Sequence, residues 1–236
     1  MTSSPQPAFC HLLAPAWPAP LALPGAQLVR AAFDPARLQP EDFANCAIAP
    51  VRGVAKRQGE YLAGRLCARE ALLQLRGQRA VPGRDEEGVP LWPAGVVGSI
   101  THGAGQAAAL VAQACDWQGL GLDLEKSLSS ERAARLAGEI LTAAELQRAA
   151  GLEPEAFARL VTLTFSLKES LFKALFPLVR QRFYFHDAEL LEWNAAGQAR
   201  LRLLIELSAA WSAGSTLTGQ FAEFDGYLLS LVAIAA

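Results

Sequence analysis

The chain predicts an α+β fold built from two similar halves. Two segments, 54–76 and 154–177, carry apolar residues at helical spacing between recognisable start and stop residues. Two others, 96–125 and 188–234, read as short strands separated by Gly- or Asp-containing turns. Helix-then-strands therefore occurs twice, before and after roughly residue 125, and no short fixed repeat accompanies it. The predicted halves are 1–125 and 126–236, meeting near an acidic strand where a ligand would find a natural site.

Each element has its own local signal. Residues 1–50, with Pro15, Pro18, Pro20, Pro24, Pro35, Pro40 and Pro50, predict extended irregular chain and at most one strand, Gln27–Phe33. Leu62, Leu66 and Leu73 mark one side of the first helix and Gly77 its stop. Arg65, Arg69 and Arg76 stripe that helix, and for Arg69 and Arg76 a solvated face is the expected role. Residues 83–93 read as a turn-rich loop; 96–101, 106–115 and 119–125 read as a three-stranded meander. Ser129 and Ser130 start a helix over 131–140, and Thr142 with Glu145 forms a capping box for another. Residues 127–153 would serve either as a lid or docking surface or as a solvated helical hairpin. Pro154 opens a long helix with Leu160, Leu167, Leu171 and Leu175 on its buried face and Pro177 at its end. Strands follow at 188–193, 198–205, 220–224 and 227–234, the last two joined by Asp225-Gly226, a hairpin signal.

Composition narrows the function. Hydrophobic residues make up 52% of the 236, enough for a substantial core. A net charge of −2 argues against a general polyanion binder, so no nucleic-acid role is expected and any basic site is local. Cys10, Cys46, Cys67 and Cys115 form no C-x-x-C pair and read as reduced, buried thiols. No basic stretch leads into an apolar core at the start, and no run of about 18 apolar residues appears, so a cytoplasmic protein without a membrane span is expected.

The chemistry concentrates in three places. In Gly121-Leu122-Asp123-Leu124-Glu125 the period of two puts Asp123 and Glu125 on one strand face, with leucines behind. Side-by-side carboxylates repel unless a cation lies between them. Glu169 adds a third, with Lys173 one helical turn on, although such an i,i+4 pair is also the ordinary surface salt bridge. Three oxygen ligands from two rigid elements suit a hard divalent ion, Mg2+ or alternatively Mn2+, sharing a substrate phosphate. Gly98-Ser99-Ile100-Thr101-His102-Gly103 combines small residues, hydroxyls and an imidazole at a strand end, where backbone can approach a phosphate. Lys56 and Arg57, at the start of the first helix, stand where backbone amides also favour an anion. Gly119-x-Gly121 precedes the acidic strand end and opens no helix, so the dinucleotide fingerprint fails. A Ser99–His102–Asp123 hydrolase triad lacks the G-x-S-x-G elbow.

These blocks, with Phe165-Ser166-Leu167-Lys168-Glu169-Ser170-Leu171-Phe172-Lys173, resemble the three ordered signatures of the 4′-phosphopantetheinyl transferases. Lys56-Arg57-Gln58, Ala63-Gly64-Arg65 and Gly88-Val89-Pro90-Leu91-Trp92-Pro93 resemble the branch typified by enterobactin synthetase component D. The likeness covers roughly residues 50–180; Thr101 stands where many members have Ser, and Phe165 where many have Trp. It implies two α/β subdomains in a pseudo-two-fold arrangement, coenzyme A on the first half and the metal and carrier on the second. It further implies Mg2+-dependent transfer of 4′-phosphopantetheine from coenzyme A to a serine of an acyl carrier protein or peptidyl carrier domain. Asp123, Glu125 and Glu169 would hold the metal, and Lys173 and His102 would steady phosphate oxygens. Lys56, Arg57 and Arg84 would grip the 3′-phosphate end, and Ser99, Thr101 and Asp123 complete the expected cofactor contacts. Glu169, directly or through a water, is the leading candidate for the serine proton. The carrier would be an acidic helical bundle meeting an apolar patch with basic residues, drawn from the loop after Glu125 and the 172–182 stretch. Fatty-acid, siderophore-peptide and polyketide synthesis all stay open as pathways, and a monomer suffices. A Mg2+-dependent phosphohydrolase and a non-catalytic coenzyme A- or carrier-binding module are the competing readings.

Overall fold

All paired strands among the described residues run antiparallel. The computed structural model describes residues 7–236, and the chain divides into two compact units.

The first unit comprises 23–116 with the chain up to Trp17. Its elements are β1 (Cys10–Leu12), β2 (Gln27–Phe33), α1 (Glu41–Asn45), α2 (Ala55–Arg76), β3 (Gly83–Arg84), β4 (Pro90–Leu91), β5 (Val96–Gly103) and β6 (Gln106–Gln113). The four-stranded sheet has the order β1-β2-β6-β5, and β3 pairs with β4 alone. β2 lies at the expected bounds; β1 and α1 are structure that the proline-rich reading did not anticipate. The helix stops at Gly77, which adopts the left-handed conformation and returns its N–H to Leu73 O. Leu62, Leu66, Ala71 and Leu72 bury against Val29, Ala31, Ala107, Ala109 and Val111, with Leu72 in the place expected of the half-buried Leu73. A Cβ on Gly64 would lie 2.8 Å from Ile100 Cγ2, so the missing side chain lets β5 approach α2.

The arginine stripe is bonded to backbone. Arg65 is buried, donates to Gly83 O and stacks 4.9 Å from the Tyr61 ring; Arg69 donates to Cys46 O at 2.7 Å; Arg76 donates to Ala94 O at 2.6 Å. Arg76 is exposed, as the solvated-face reading expects, while half-buried Arg69 departs from it; both also anchor loops, because carbonyls of irregular chain need donors. The four cysteines are free thiols, Cys115 exposed and the others buried. Burial, with Cys46 nearby, pushes the Cys10 thiol up to about 12, which marks it as unreactive.

The second unit comprises 117–236 with 18–22. It contains β7 (Trp117–Lys126), α3 (Ser130–Ile140), α4 (Ala143–Arg148), α5 (Pro154–Val179), β8 (Ala188–Trp193), β9 (Gln198–Leu203), β10 (Thr216–Phe224) and β11 (Tyr227–Ala235). Strand order is β7-β11-β10-β9-β8. The acidic strand β7 pairs with β11 over nearly its full length, so the expected meander ends after β6. Long-range pairing with an apolar C-terminal strand outweighs the short Asp116-containing turn. Ser129 caps α3, and the Thr142–Glu145 capping box is present. Pro177 lies inside the last turn of α5, which runs on to Val179 and closes at Arg180 in the left-handed region. Asp225 and Gly226 both adopt positive φ in the β10–β11 turn.

Two contacts position α5. Gly119 and Gly121 face it: a Cβ on Gly121 would fall 1.7 Å from Ser170 O, and one on Gly119 2.5 Å from Ala174 O. Lys168, fully buried, donates to Glu145 Oε2 at 2.7 Å, Ile140 O at 2.9 Å and Phe185 O at 2.8 Å, tying α5 to α3, α4 and the turn before β8. Burial pulls its ammonium below the ordinary lysine value, while Glu145 opposes that.

Three substitutions test this account by urea unfolding. Gly121→Ala should destabilise by about 1–3 kcal/mol or more, the range for forced overpacking. Gly138→Ala, on the exposed side of α3 with nothing within 4 Å of its Cβ, should stabilise by about 0.5–1 kcal/mol. Lys168→Ala should cost about 3–5 kcal/mol, because it strands the buried Glu145 carboxylate.

Candidate functional site

In the second unit, strand alternation carries Asp123 and Glu125 on from Gly119 and Gly121 on the face that meets α5. Asp123 is 3% exposed. Its Oδ1 accepts from Lys173 Nζ at 2.6 Å and its Oδ2 from Ser166 Oγ at 2.9 Å. Lys173 also donates to Leu122 O at 3.2 Å. The bonded carboxylate of Lys173 is therefore on the strand, not Glu169 one turn away, although Glu169 feels the ammonium's charge.

Burial pushes the Glu125 carboxyl up to about 7; Asp123 and Glu169 add to the rise, and Lys173 and Arg132 oppose it. Glu169 is also raised, by burial and by Asp123, against Lys173. The sequence-predicted trio thus shares one electrostatic neighbourhood. Three carboxylates that disfavour one another's charge form a hard oxygen donor set of the kind that fits a divalent cation. As the side chains stand, Lys173 neutralises Asp123, and no three His, Cys, Asp or Glu groups among the described residues are arranged to enclose an ion.

Beside Glu169 lies a pocket of about 210 Å3 lined by Phe172, Phe183, Tyr184, Phe185 and Arg182, with Lys168 at its side. Phe172 stacks on Phe176 with ring centroids 4.9 Å apart, and the Arg182 guanidinium sits 5.4 Å from the Phe176 ring.

In the first unit, His102 on β5 is half-buried, with Nε2 3.4 Å from Arg57 Nη1 and Nδ1 3.8 Å from Glu60 Oε2. Lys56 and Arg57 are exposed in the first turn of α2, where no side chain caps the helix. Arg84, exposed on the β3–β4 hairpin, holds its guanidinium 6.0 Å from the Tyr61 ring. Ser99 and Thr101 are buried and project from the opposite face of β5 to His102, because the strand keeps an unbroken register with β6. The structure therefore gathers His102, Arg57 and Glu60, and sets the two hydroxyls apart from them.

The roles of Ser166, Ser170, Ser230 and Lys168 escaped the sequence reading, as did the bond from Lys168 to Glu145. Their signals were present: two serines one turn apart beside Glu169, a lone Ser230 inside the apolar run 227–234, and a lysine adjoining the leucine stripe of α5.

Residues 48–112 match the 4′-phosphopantetheinyl transferase N-terminal domain, and residues 119–232 match the 4′-phosphopantetheinyl transferase superfamily. The chain is 37% identical over 178 residues to enterobactin synthase component D of Salmonella typhimurium, covering 75% of this chain and 72% of that protein. It is 37% identical over 216 residues to the 4′-phosphopantetheinyl transferase Svp of Streptomyces mobaraensis, covering 84% and 79%. Against enterobactin synthase component D of Escherichia coli O157:H7 it is 40% identical over 141 residues, 59% of this chain, and spans 64% of that relative's length. A holo-(acyl-carrier-protein) synthase from Bacillus anthracis str. Ames, solved in complex with CoA (3′,5′-ADP), aligns with a TM-score of 0.35 at 17% identity, over 51% of this chain and 98% of that one. The glycine-backed acidic strand, the Glu169–Lys173 helix, the two family matches and the relatives at 37% identity agree: the chain belongs to the 4′-phosphopantetheinyl transferase superfamily.

Proposed function

We propose that this protein transfers 4′-phosphopantetheine from coenzyme A to a serine hydroxyl of an acyl or peptidyl carrier protein, leaving adenosine 3′,5′-bisphosphate. The observation that carries the reading is the carboxylate trio Asp123, Glu125 and Glu169 beside Lys173, in a chain of this superfamily. Attack on a phosphodiester phosphorus asks for positioning and charge neutralisation more than covalent help.

Asp123, Glu125 and Glu169 are the residues that would hold Mg2+, or Mn2+ in its place. When bound, the ion supplies charge neutralisation at the pyrophosphate of coenzyme A. Lys173, already paired with Asp123, is a mobile cation for a phosphate oxygen once a metal compensates that carboxylate. His102 and Arg57 stand together, Nε2 3.4 Å from Nη1, where they would steady a phosphate oxygen. Lys56, Arg57 and Arg84 provide exposed positive charge for the nucleotide's 3′-phosphate. Ser99 and Thr101 contribute through the backbone of β5, since their side chains are buried. Glu169, whose carboxyl is raised toward neutrality, receives the serine proton. The aromatic pocket with Arg182 at its side suits an acidic helical carrier, with apolar contact at the centre and positive charge at the edge. No helix among the described residues is long and apolar enough to cross a membrane, and we place the reaction in the cytoplasm, on a monomer.

Purified protein with coenzyme A and Mg2+ should add the phosphopantetheine mass to at least one carrier in a panel drawn from fatty-acid, siderophore and polyketide synthesis. No mass shift on any carrier, or release of phosphopantetheine without a carrier, would overturn the reading. Glu125→Gln and Glu169→Gln should each lower kcat/KM by about 100-fold or more while the protein stays folded, the loss that follows when several kcal/mol of charge stabilisation disappears.

The metal-free protein carries a further signature. The folded state holds a proton on Glu125 up to about pH 7, whereas the unfolded chain releases it near its ordinary value. The unfolded state binds fewer protons in that window, so stability falls as pH rises through it. In chelator at pH 8, Glu125→Gln should therefore melt higher than the wild type; at pH 4 that advantage should vanish.

A further inference from the structure

Ser166, Ser170 and Ser230 are each 0% exposed and form a linked chain beneath Asp123. Ser166 Oγ lies 2.9 Å from Asp123 Oδ2 and 2.8 Å from Ser230 Oγ, which in turn lies 2.8 Å from Ser170 Oγ. The placement follows from secondary structure: Ser166 and Ser170 are one turn apart on α5, and Ser230 stands opposite Asp123 in the β7–β11 register. Directly opposed residues of an antiparallel pair project to the same face, here the face that meets α5.

Proton bookkeeping fixes the direction of this chain. Each hydroxyl has one proton to donate, and an ionised carboxylate only accepts. The Ser166 proton therefore goes to Asp123. Ser230 must then donate to Ser166, and Ser170 must donate toward Ser230, whose backbone oxygen it also reaches at 3.1 Å. Bonds aligned in this way polarise one another and strengthen the last, the one on the carboxylate. Three hydroxyls in a buried helix–sheet seam are a poor choice for packing alone, since burying each has a cost that only its bond offsets.

We propose that Ser166, Ser230 and Ser170 are positioning residues: their directional hydroxyl chain pins Oδ2 of Asp123 and leaves Oδ1, now bonded to Lys173, as the oxygen presented to a divalent cation. The proposal rests on the metal-dependent transferase reading given above. None of the three serines is assigned to touch the cation or the substrate; they act through Asp123, and removing such an orienting partner weakens metal binding about 10- to 100-fold in other sites.

The test is a titration of the full chain with Mn2+ alone, without coenzyme A or carrier, following the free ion by electron paramagnetic resonance. Wild type, Ser166→Ala, Ser230→Ala and Ser230→Thr are compared, each with a thermal melt. Both alanine variants should bind Mn2+ about 10- to 100-fold more weakly, and Ser230→Thr, which restores the hydroxyl, should return toward wild type. Should an alanine variant fail to fold, Ser230→Cys replaces it, being close in size but a weak donor, with the same loss expected. Alanine variants that melt lower yet bind Mn2+ as tightly as wild type would show a packing role only and overturn the proposal, as would a wild type that binds no Mn2+. The transferase reading is judged separately, by mass shift on the carrier panel. A wild type that binds Mn2+ but modifies no carrier removes that reading, and the variant comparison still decides the role of the serines.

Discussion

The second unit is organised by a contact between backbones. Gly119 and Gly121 present only hydrogens to α5, and the helix settles so close that a methyl group on Gly121 would overlap the Ser170 carbonyl. Leu163, Leu167, Leu171 and Leu175 hold it there from the buried face. Because a strand turns the same face outward every second residue, the next two positions along β7 must also address the helix. Those positions are Asp123 and Glu125. The fold thus places two carboxylates against α5 by the same geometry that removes side chains from the positions before them.

That placement is electrostatically unfavourable, and the surroundings show how it is tolerated. Asp123, the most buried of the trio, takes a hydrogen bond on each oxygen, one from an ammonium and one from a hydroxyl. Glu125 and Glu169 have no comparable donors among the bonds described above and are pushed toward the neutral acid. Strain of this kind, concentrated in one cluster of an otherwise well-packed unit, is expected where a protein binds a cation or runs acid–base chemistry.

Two lysines of α5, five residues apart, divide the work of the helix. Lys168 points into the unit and is surrounded by acceptors from α3, α4 and the turn before β8, so its charge fastens elements together. Lys173 is 27% exposed at its side chain and holds a single buried carboxylate, so its charge can be redirected. The contrast follows from helical geometry: a five-residue step turns the side chain by well over a right angle. The 165–173 block, which reads as one motif in sequence, therefore contributes a fastener on one side of α5 and reactive groups on another.

Local rules sufficed for much of this. β2, α2, the cap at Ser129, the Thr142–Glu145 box, β8 and the Asp225-Gly226 turn follow from nearest-neighbour chemistry, and so does the shared face of Asp123 and Glu125. What the sequence left open was every choice among distant partners. Whether β7 continued the meander or joined β11 depended on which apolar strand could cover its leucines. Whether Lys173 paired within its helix or across to Asp123 depended on the closeness that Gly121 permits. The burial of Arg65, Lys168 and three serines depended on acceptors from 17 to more than 60 residues away in the chain. Periodicity and capping are short-range and can be read along the chain. Hydrogen-bond partners and desolvation belong to the folded volume, where three-dimensional proximity replaces separation in sequence.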